Sequence, residues 1–320
     1  SSDAIGVDLG GTNIKAALVS EDGKFLRKKN VKTEVASGKE KIAAKIVAIV
    51  EELAEEDRSV SVGIGSPGSI DRKNGLVRFS PNLPDWLDFP LARLVSERSG
   101  REVFIENNAK AAALGEKWFG EARGCESFVV LTLGTGVGGG AVTNGQLLIG
   151  GGGIGGELGH MCVDPSGPLC GCGSHGCLEC YASSSGMRKL VEEYRMRYPN
   201  SLIFREQSGG QFEAVAVFSA YQKGDPLAEI IYGKFVFAMG VAIGSLVNIF
   251  NPEKIILSGG ISSSASLYLE KVKKIANEHT ILSMMNSFEI VQSSLKENAA
   301  IYGAASIVFD RKQPHTSEVQ

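Results

Sequence analysis

The sequence predicts an α/β protein built from two similar halves. Three observations carry that expectation. At 320 residues and 43% hydrophobic, the chain is long enough to bury two cores. Short β-branched runs alternate with amphipathic stretches of helical period along most of its length. A strand, glycine turn, strand unit also occurs twice, once at the opening of each half: Ala4–Leu9 with Gly10-Gly11-Thr12, and Phe128–Leu133 with Gly134-Thr135-Gly136.

Taken in order, Ala4–Leu9 reads as a buried strand that turns at Gly10-Gly11-Thr12-Asn13 and returns as Ile14–Val19. Bare glycine amides can lie against phosphate oxygens, Thr12 and Lys15 add a hydroxyl and a charge, and Asp8 is placed to hold waters around Mg²⁺. An ordinary hairpin with a buried aspartate fits this segment equally well. Ile42, Ile46, Ile49 and Leu53 recur at helical spacing and put an amphipathic helix over 39–53. Val60–Ile64 is a buried strand ending in Gly65-Ser66-Pro67-Gly68, a turn that exposes backbone. Ser69–Phe79 folds as a hairpin around Lys73-Asn74-Gly75, and Asn82 lies in the loop that follows. Glu102–Ile105 is a strand that gives way at Glu106-Asn107-Asn108 to a helix from Ala109 to about Phe119. Polar groups at such a junction sit where open α/β sheets bind ligands, and Asn107 also suits a helix N-cap.

In the second half, Gly134-x-Gly136-x-x-Gly139 matches the dinucleotide fingerprint, but that motif should open a helix. Here a strand and the turn Asn144-Gly145 follow, so the dinucleotide reading fails. Helices are expected over 185–196, 212–222 and 226–250. The last is apolar nearly all round and hence buried, with Asp225 as N-cap and Pro226 at the first position. Lys254–Leu257 is a strand ending in Ser258-Gly259-Gly260, either a plain turn or a place for an adenosine to lie against backbone. A helix over 265–276, a strand at 288–291 and a final helix from Asn298 follow, with a polar tail from Arg311 expected to fray.

Metal chemistry is concentrated in one stretch. Cys170, Cys172 and Cys177 fall within eight residues, separated by glycines, and His160 lies ten residues upstream of the first. Three thiolates and an imidazole can close a tetrahedron around Zn²⁺, leaving no open position, so the ion would be structural. Cys170 and Cys172 are too close in sequence to pair easily as a disulfide, and Cys125, Cys162 and Cys180 are expected to be packed thiols. Glu157 and Glu179 flank this loop. Each alone is an ordinary solvated charge; together, facing a ligand, they can accept hydrogen bonds from adjacent sugar hydroxyls. His160 could hold the metal through one ring nitrogen and a hydroxyl through the other.

The pattern E-x-G-H (157–160) followed by C-x-C-G-x-x-G-C-x-E (170–179) resembles the ROK family of sugar kinases and related repressors, nearest to the bacterial ROK glucokinases. The likeness runs from Ile5 to about Phe309. It implies the actin-like ATPase (ribonuclease H-like) fold, two similar domains flanking a nucleotide and sugar cleft. The domains would be 1–118, with the last helix 298–310 packing back on it, and 119–297, with the zinc loop at 160–180. It implies ATP-dependent phosphorylation of a hexose, foremost glucose to glucose 6-phosphate, with Mg²⁺ held through water by Asp8. Phosphates would be cradled at Gly10, Gly11, Thr12, Lys15, Thr135 and Gly136, and the nucleotide would lie at Gly259 and Gly260. Gly65, Asn82, Asn107, Glu157, His160 and Glu179 would orient the sugar.

The chain departs from the family at one decisive position. Where the family has Glu-Asn-Asp, with the aspartate as general base, this chain has Asn108. An amide cannot accept the hydroxyl proton at neutral pH. The chain is therefore expected to be a low-activity or disabled kinase that still binds sugar, unless another carboxylate serves. N-acetylmannosamine and fructose remain alternative acceptors, and a non-catalytic sugar sensor is the alternative class. A net charge of −3 gives no reason to expect nucleic acid or a membrane surface, and no apolar run is read as spanning a bilayer. The cysteine usage suits a cytoplasmic protein, and relatives of this kind are commonly dimers or tetramers.

Overall fold

Period-two alternation along β1 (Ala4–Leu9) sends Ile5, Val7 and Leu9 to one face, and both faces are buried. That pattern belongs to a central strand covered by helices on each side. The structure, a computed structural model, describes residues 2–205, 207 and 210–313. Its contacts divide into two units. The first comprises residues up to Gly124, Leu147–Gly156 and those from Leu295; the second comprises Cys125–Gln146 and Glu157–Ser294. Thus 119–124 and 147–156, which the sequence reading left with the second half, group with the first.

In the first unit β1 pairs antiparallel with β2 (Asn13–Val19), which pairs with β3 (Phe25–Lys32). On its other side β1 runs parallel to β4 (Ser61–Ser66), and β4 runs parallel to β7 (Val103–Asn107). Helices α1 (Lys39–Ala54) and α2 (Leu91–Ser99) cover one face through Ile42, Ile46, Leu91 and Val95. The small hairpin of β5 (Ser69–Asp71) and β6 (Leu76–Phe79) stands apart from the main sheet, as its turn residues predicted. On the opposite face lie α3 (Asn108–Phe119) and the chain's last helix, Ala299–Lys312. That helix approaches so closely that a Cβ on Gly63 of β4 would lie 2.0 Å from the Ala304 carbonyl oxygen. It also runs past Arg311, where the sequence suggested fraying, to Lys312; the tail from 314 lies outside the described residues.

The second unit repeats the plan. β8 (Phe128–Leu133) pairs antiparallel with β9 (Val137–Thr143) and parallel with β11 (Lys254–Ser258), which is parallel to β12 (Glu289–Gln292). With the two-residue β10 (Gln146–Leu147) at its edge, the order β10-β9-β8-β11-β12 mirrors β3-β2-β1-β4-β7. The helices are α4 (Glu179–Ala182), α5 (Ser184–Tyr194), α6 (Leu202–Arg205), α7 (Ala214–Gln222), α8 (Pro226–Phe250) and α9 (Leu269–Glu278). Phe218, Phe235 and Tyr268 pack their rings together at centroid separations of 4.8–5.4 Å, tying α7 and α8 to the segment before α9. The single helix expected over 265–276 is in fact a 3-10 stretch, Gly260–Leu267, followed by α9.

One sequence expectation is corrected by α8. It is 25 residues long, and an 18-residue window of it reaches a mean hydropathy of 1.9, apolar enough to cross a membrane by length and composition, contrary to the reading that no such run exists. Two-thirds of that window is buried inside the protein, and Asp225 caps it as predicted, accepting from the Ala228 N–H. It is a core helix.

The close helix-on-sheet contact gives a direct stability test. Gly63→Ala is expected to lower Tm by roughly 5 °C or more, because backbone must move to admit the methyl group. Gly233→Ala on the open side of α8, where an added Cβ meets nothing within 4 Å, is expected to be neutral or slightly stabilising in the same calorimetric scan.

Candidate active site

The parallel strands β1, β4 and β7 bring Asp8, Gly65 and Glu106 into register at one end of the first sheet. Ligands in open α/β sheets bind off that end. Asp8 is followed by the turn Gly10–Thr12, in which the Gly10 N–H donates to the Asn13 carbonyl at 2.9 Å. Gly11 and Thr12 are exposed. The turn is clipped from behind by Thr33 at the end of β3, whose Oγ1 donates to the Gly10 carbonyl at 2.7 Å and whose N–H donates to the Thr12 carbonyl at 2.9 Å. Nothing in the sequence singled out Thr33, because its role exists only once β2 and β3 pair.

Lys15 faces outward directly across the ladder from Asp8. Burial pushes the Asp8 carboxyl up to about 6, with the Lys15 ammonium pulling the other way. A carboxylate at this cost of desolvation, at a strand end beside a glycine turn, is suited to a cation.

Asn107 performs the capping role the sequence suggested. Its Oδ1 accepts from the N–H groups of Ala109 (3.0 Å) and Lys110 (3.3 Å), and its Nδ2 donates to the Gly68 carbonyl at 2.8 Å. The amide thus fixes the start of α3 and the Ser66–Gly68 turn relative to each other, leaving one N–H for a ligand. Asn108, the first residue of α3, is exposed. Glu106 is no substitute for a base at 108. It is 1% exposed, its Oε1 accepts the Asn107 N–H at 2.9 Å, and its Oε2 lies 3.0 Å from Arg72 Nε. Asn82 is exposed in its loop, which is anchored by the buried side chains of Leu83 and Trp86 just after it.

In the second unit the glycine turn after β8 returns directly into strand β9, confirming that no dinucleotide-type helix follows. The Gly134 N–H donates to the Gly136 carbonyl at 3.0 Å, while the Gly134 and Thr135 carbonyls accept from the Ser184 and Ser185 N–H groups at the start of α5. Glu179 Oε1 accepts the Val137 N–H at 2.9 Å, and a Cβ at Gly136 would sit 2.6 Å from that oxygen. So Glu179 clasps the turn, and position 136 admits only glycine without displacing it. Gly259, at φ +86, and Gly260 end β11 at the same sheet edge, since Ser258 pairs with Thr132.

The metal candidates converge. One ligand atom each from His160, Cys170, Cys172 and Cys177 lies within 4.8 Å of the others. Cys172 Sγ and Cys177 Sγ are 3.6 Å apart, as are Cys170 Sγ and His160 Nδ1. A tetrahedron with metal–sulfur bonds of about 2.3 Å has sulfur–sulfur edges of about 3.8 Å, so the set fits. The Ser174 N–H draws the Cys172 thiol down to about 7, whereas burial pushes Cys177 up to about 12. A divalent cation would stabilise all three thiolates together. Nδ1 of His160 is the ring nitrogen beside Cys170 Sγ. Glu157 is exposed and its carbonyl accepts the His160 N–H at 3.1 Å. Cys162, expected to be packed, is exposed instead, while Cys180 lies half-buried with its Sγ 3.9 Å from the Pro168 carbonyl.

A sequence profile described as the ROK family matches residues 4–311. The chain is 46% identical over 308 residues to the glucokinase of Thermotoga maritima, covering 96% of this chain and 97% of that protein. It is similar to the crystal structure of the ROK hexokinase from Thermus thermophilus, with a TM-score of 0.82 at 33% identity over 97% of this chain and 100% of that one. It is also similar to a ROK family glucokinase from Streptomyces griseus solved in complex with glucose and AMPPNP. There the TM-score is 0.78 at 34% identity, over 95% of this chain and 98% of that one.

Asp8 supplies a pH-dependent test. Its folded value of about 6 lies above the ordinary 3.8, so the folded chain holds this proton more tightly than the unfolded chain. The carboxyl therefore destabilises the fold increasingly as pH rises from 3.8 to 6, and by a constant amount above that. Without nucleotide or Mg²⁺, Asp8→Asn is expected to stabilise the protein at about pH 7.5 by on the order of 1–3 kcal/mol and to lose that gain below about pH 4. A Tm difference that does not change between the two pH values would contradict the assignment.

Proposed function

The chain belongs to the ROK family, and from that premise we propose that it is an ATP-dependent sugar kinase acting on the 6-hydroxyl of glucose. The single observation that carries the reading is the first sheet's ligand edge, where Asp8, the Gly10–Thr12 turn and the exposed Asn108 lie at the ends of paired strands. An actin-like ATPase fold with two sheets of matching order supports it.

In this reading the turn at Gly10, Gly11 and Thr12, with Lys15, lies against phosphate oxygens through backbone N–H groups and one mobile charge. The Thr135-Gly136 turn does the same in the second unit, and Gly259-Gly260 leaves room for the adenosine. Asp8 would hold Mg²⁺ through water, and the cation would neutralise charge on the phosphates. Glu157, Nε2 of His160 and the remaining oxygen of Glu179 accept from or donate to sugar hydroxyls, with Gly65, Asn82 and the spare N–H of Asn107 completing the acceptor site. His160, Cys170, Cys172 and Cys177 would hold a structural Zn²⁺, whose contribution is to keep Glu157, His160 and Glu179 in fixed relation. Zinc analysis of the purified protein is expected to give one equivalent per chain, and Cys177→Ser is expected to lose it along with several degrees of Tm.

The reaction joins the sugar oxygen to the γ-phosphorus, breaks the bond to ADP and releases the hydroxyl proton. Asn108 can accept a hydrogen bond from the hydroxyl and aim it, but it cannot take that proton. A loose phosphoryl-transfer transition state demands little proton removal before bond formation, so positioning and charge neutralisation sustain a reduced rate. Loss of a positioned base costs on the order of 10²–10⁴ in rate. Asn108→Asp is therefore expected to raise glucose-dependent ADP release by on the order of 10²–10⁴, with little change in glucose affinity by calorimetry. Equal rates for the two proteins would remove position 108 from the chemistry.

Asn108 also favours a second reading, a ROK protein that binds sugar without turnover. Glucose binding with no ADP release from the unsubstituted chain would establish it. A hexose panel including N-acetylmannosamine and fructose decides the acceptor, and sedimentation decides whether the chain forms the dimer or tetramer expected from its sequence.

A further inference from the structure

A groove of about 630 Å³ opens in the first unit, bounded by the β5–β6 hairpin turn, α2, β7 and the end of the last helix. Its walls carry Arg72, Lys73, Arg93 and Arg311, with Phe104 and Ile149 forming an apolar side. Arg93 is offset by Glu97 at 3.7 Å. Arg72 pairs with the buried Glu106, which also acts on Arg311; Asp310, the other carboxylate acting on Arg311, is paired with Lys117 at 2.8 Å, and Lys73 makes no ion pair among the described residues. The cationic excess is structural: the Arg311 Nη2 reaches the Arg72 carbonyl at 3.3 Å, while its Nε is buried with no hydrogen-bond partner among the described residues. Arg72 Nε sits 3.0 Å from Glu106 Oε2 as an ion pair whose geometry is out of line for a hydrogen bond, so both atoms are held by charge alone.

Two guanidinium groups held side by side, partly desolvated, with unsatisfied donors and too few carboxylates, are costly unless an anion joins them. Burial and the neighbouring Arg72 both pull Arg311 below its ordinary value, which is the electrostatic expression of the same crowding. A guanidinium fork matches phosphate oxygens, and the volume exceeds that of phosphate alone.

We propose that this groove binds a phosphate monoester of hexose size, its phosphate on Arg72, Arg311 and Lys73 and its body against Phe104 and Ile149. Binding competes with Glu106 for Arg72. Glu106 also accepts the Asn107 N–H, and Asn107 caps α3 immediately before Asn108. The groove is thus joined by consecutive contacts to the turn that carries the position-108 side chain, and its ligand is expected to depress the kinase rate. That regulatory consequence rests on the kinase reading; the binding site itself does not.

The test is calorimetric titration of inorganic phosphate and of glucose 6-phosphate, with glucose and AMPPNP held saturating so that the substrate positions are filled. The wild type, Arg311→Gln and Lys73→Ala are compared. Both anions are expected to bind the wild type, with Arg311→Gln at least tenfold weaker and Lys73→Ala weaker by a smaller factor while retaining the wild-type Tm. Tighter binding of glucose 6-phosphate than of phosphate identifies the sugar phosphate as the occupant; equal affinity identifies free phosphate. No binding to the wild type, or affinities unchanged in both variants, would overturn the proposal. Because heat of binding is read directly, an absence of ADP release would count against the kinase reading alone.

Discussion

The first unit depends on one close contact, the last helix lying on the backbone of β1 and β4. Where Gly63 meets Ala304 there is no space for a side chain, so backbone packs on backbone. The same helix presses Gly303 against the Ala111 carbonyl of α3, where an added Cβ would be 2.7 Å away. Helix α3 is thereby fixed to the sheet, and with it the junction at Asn107 and Asn108. Distant parts of the chain, near residues 63, 111 and 304, combine to place two candidate ligand residues.

The candidate site follows a consistent rule: residues that carry the family pattern also hold the backbone that carries the rest. Asn107 joins the Gly68 turn to α3. Glu179 joins the cysteine-rich loop to the Gly136 turn. His160 lies against Cys170 and donates its backbone N–H to the Glu157 carbonyl. Each side chain has part of its hydrogen-bonding capacity committed inside the protein, which fixes its direction before any ligand arrives. Asn108 is exposed and first in its helix, so its chemistry can change while the scaffold around it stays in place. That independence lets the side chain at 108 differ without disturbing the capping and turn contacts around it.

Much of the local structure was legible in the residues. Periodicity located β1, β4, β7, α1 and α8 to within a few positions, because strands and helices bury side chains at fixed intervals. Asp225-Pro226 marked the start of α8, and the strand after Gly134-x-Gly136 excluded a dinucleotide site. The break between the 3-10 stretch and α9 was not legible, since Tyr268 leaves the helical path to bury its ring against Phe218 and Phe235. Nor was the exposure of Cys162, because burial of a lone cysteine depends on neighbours remote in sequence.

By itself, the sequence determined the elements, their two-fold recurrence, the candidate cluster His160, Cys170, Cys172 and Cys177, and the amide at 108. These are properties of residue type and short spacing, which propensity and ligand chemistry act on directly. Only the tertiary structure decided that Thr33 clips the first glycine turn, that Glu106 is spent on Arg72 and the Asn107 N–H, and that Arg311 faces Arg72 across a groove. Apart from the bond between the neighbours Glu106 and Asn107, those pairings join residues tens to hundreds of positions apart, and a chain brings such groups together only when its sheets and helices close around a core.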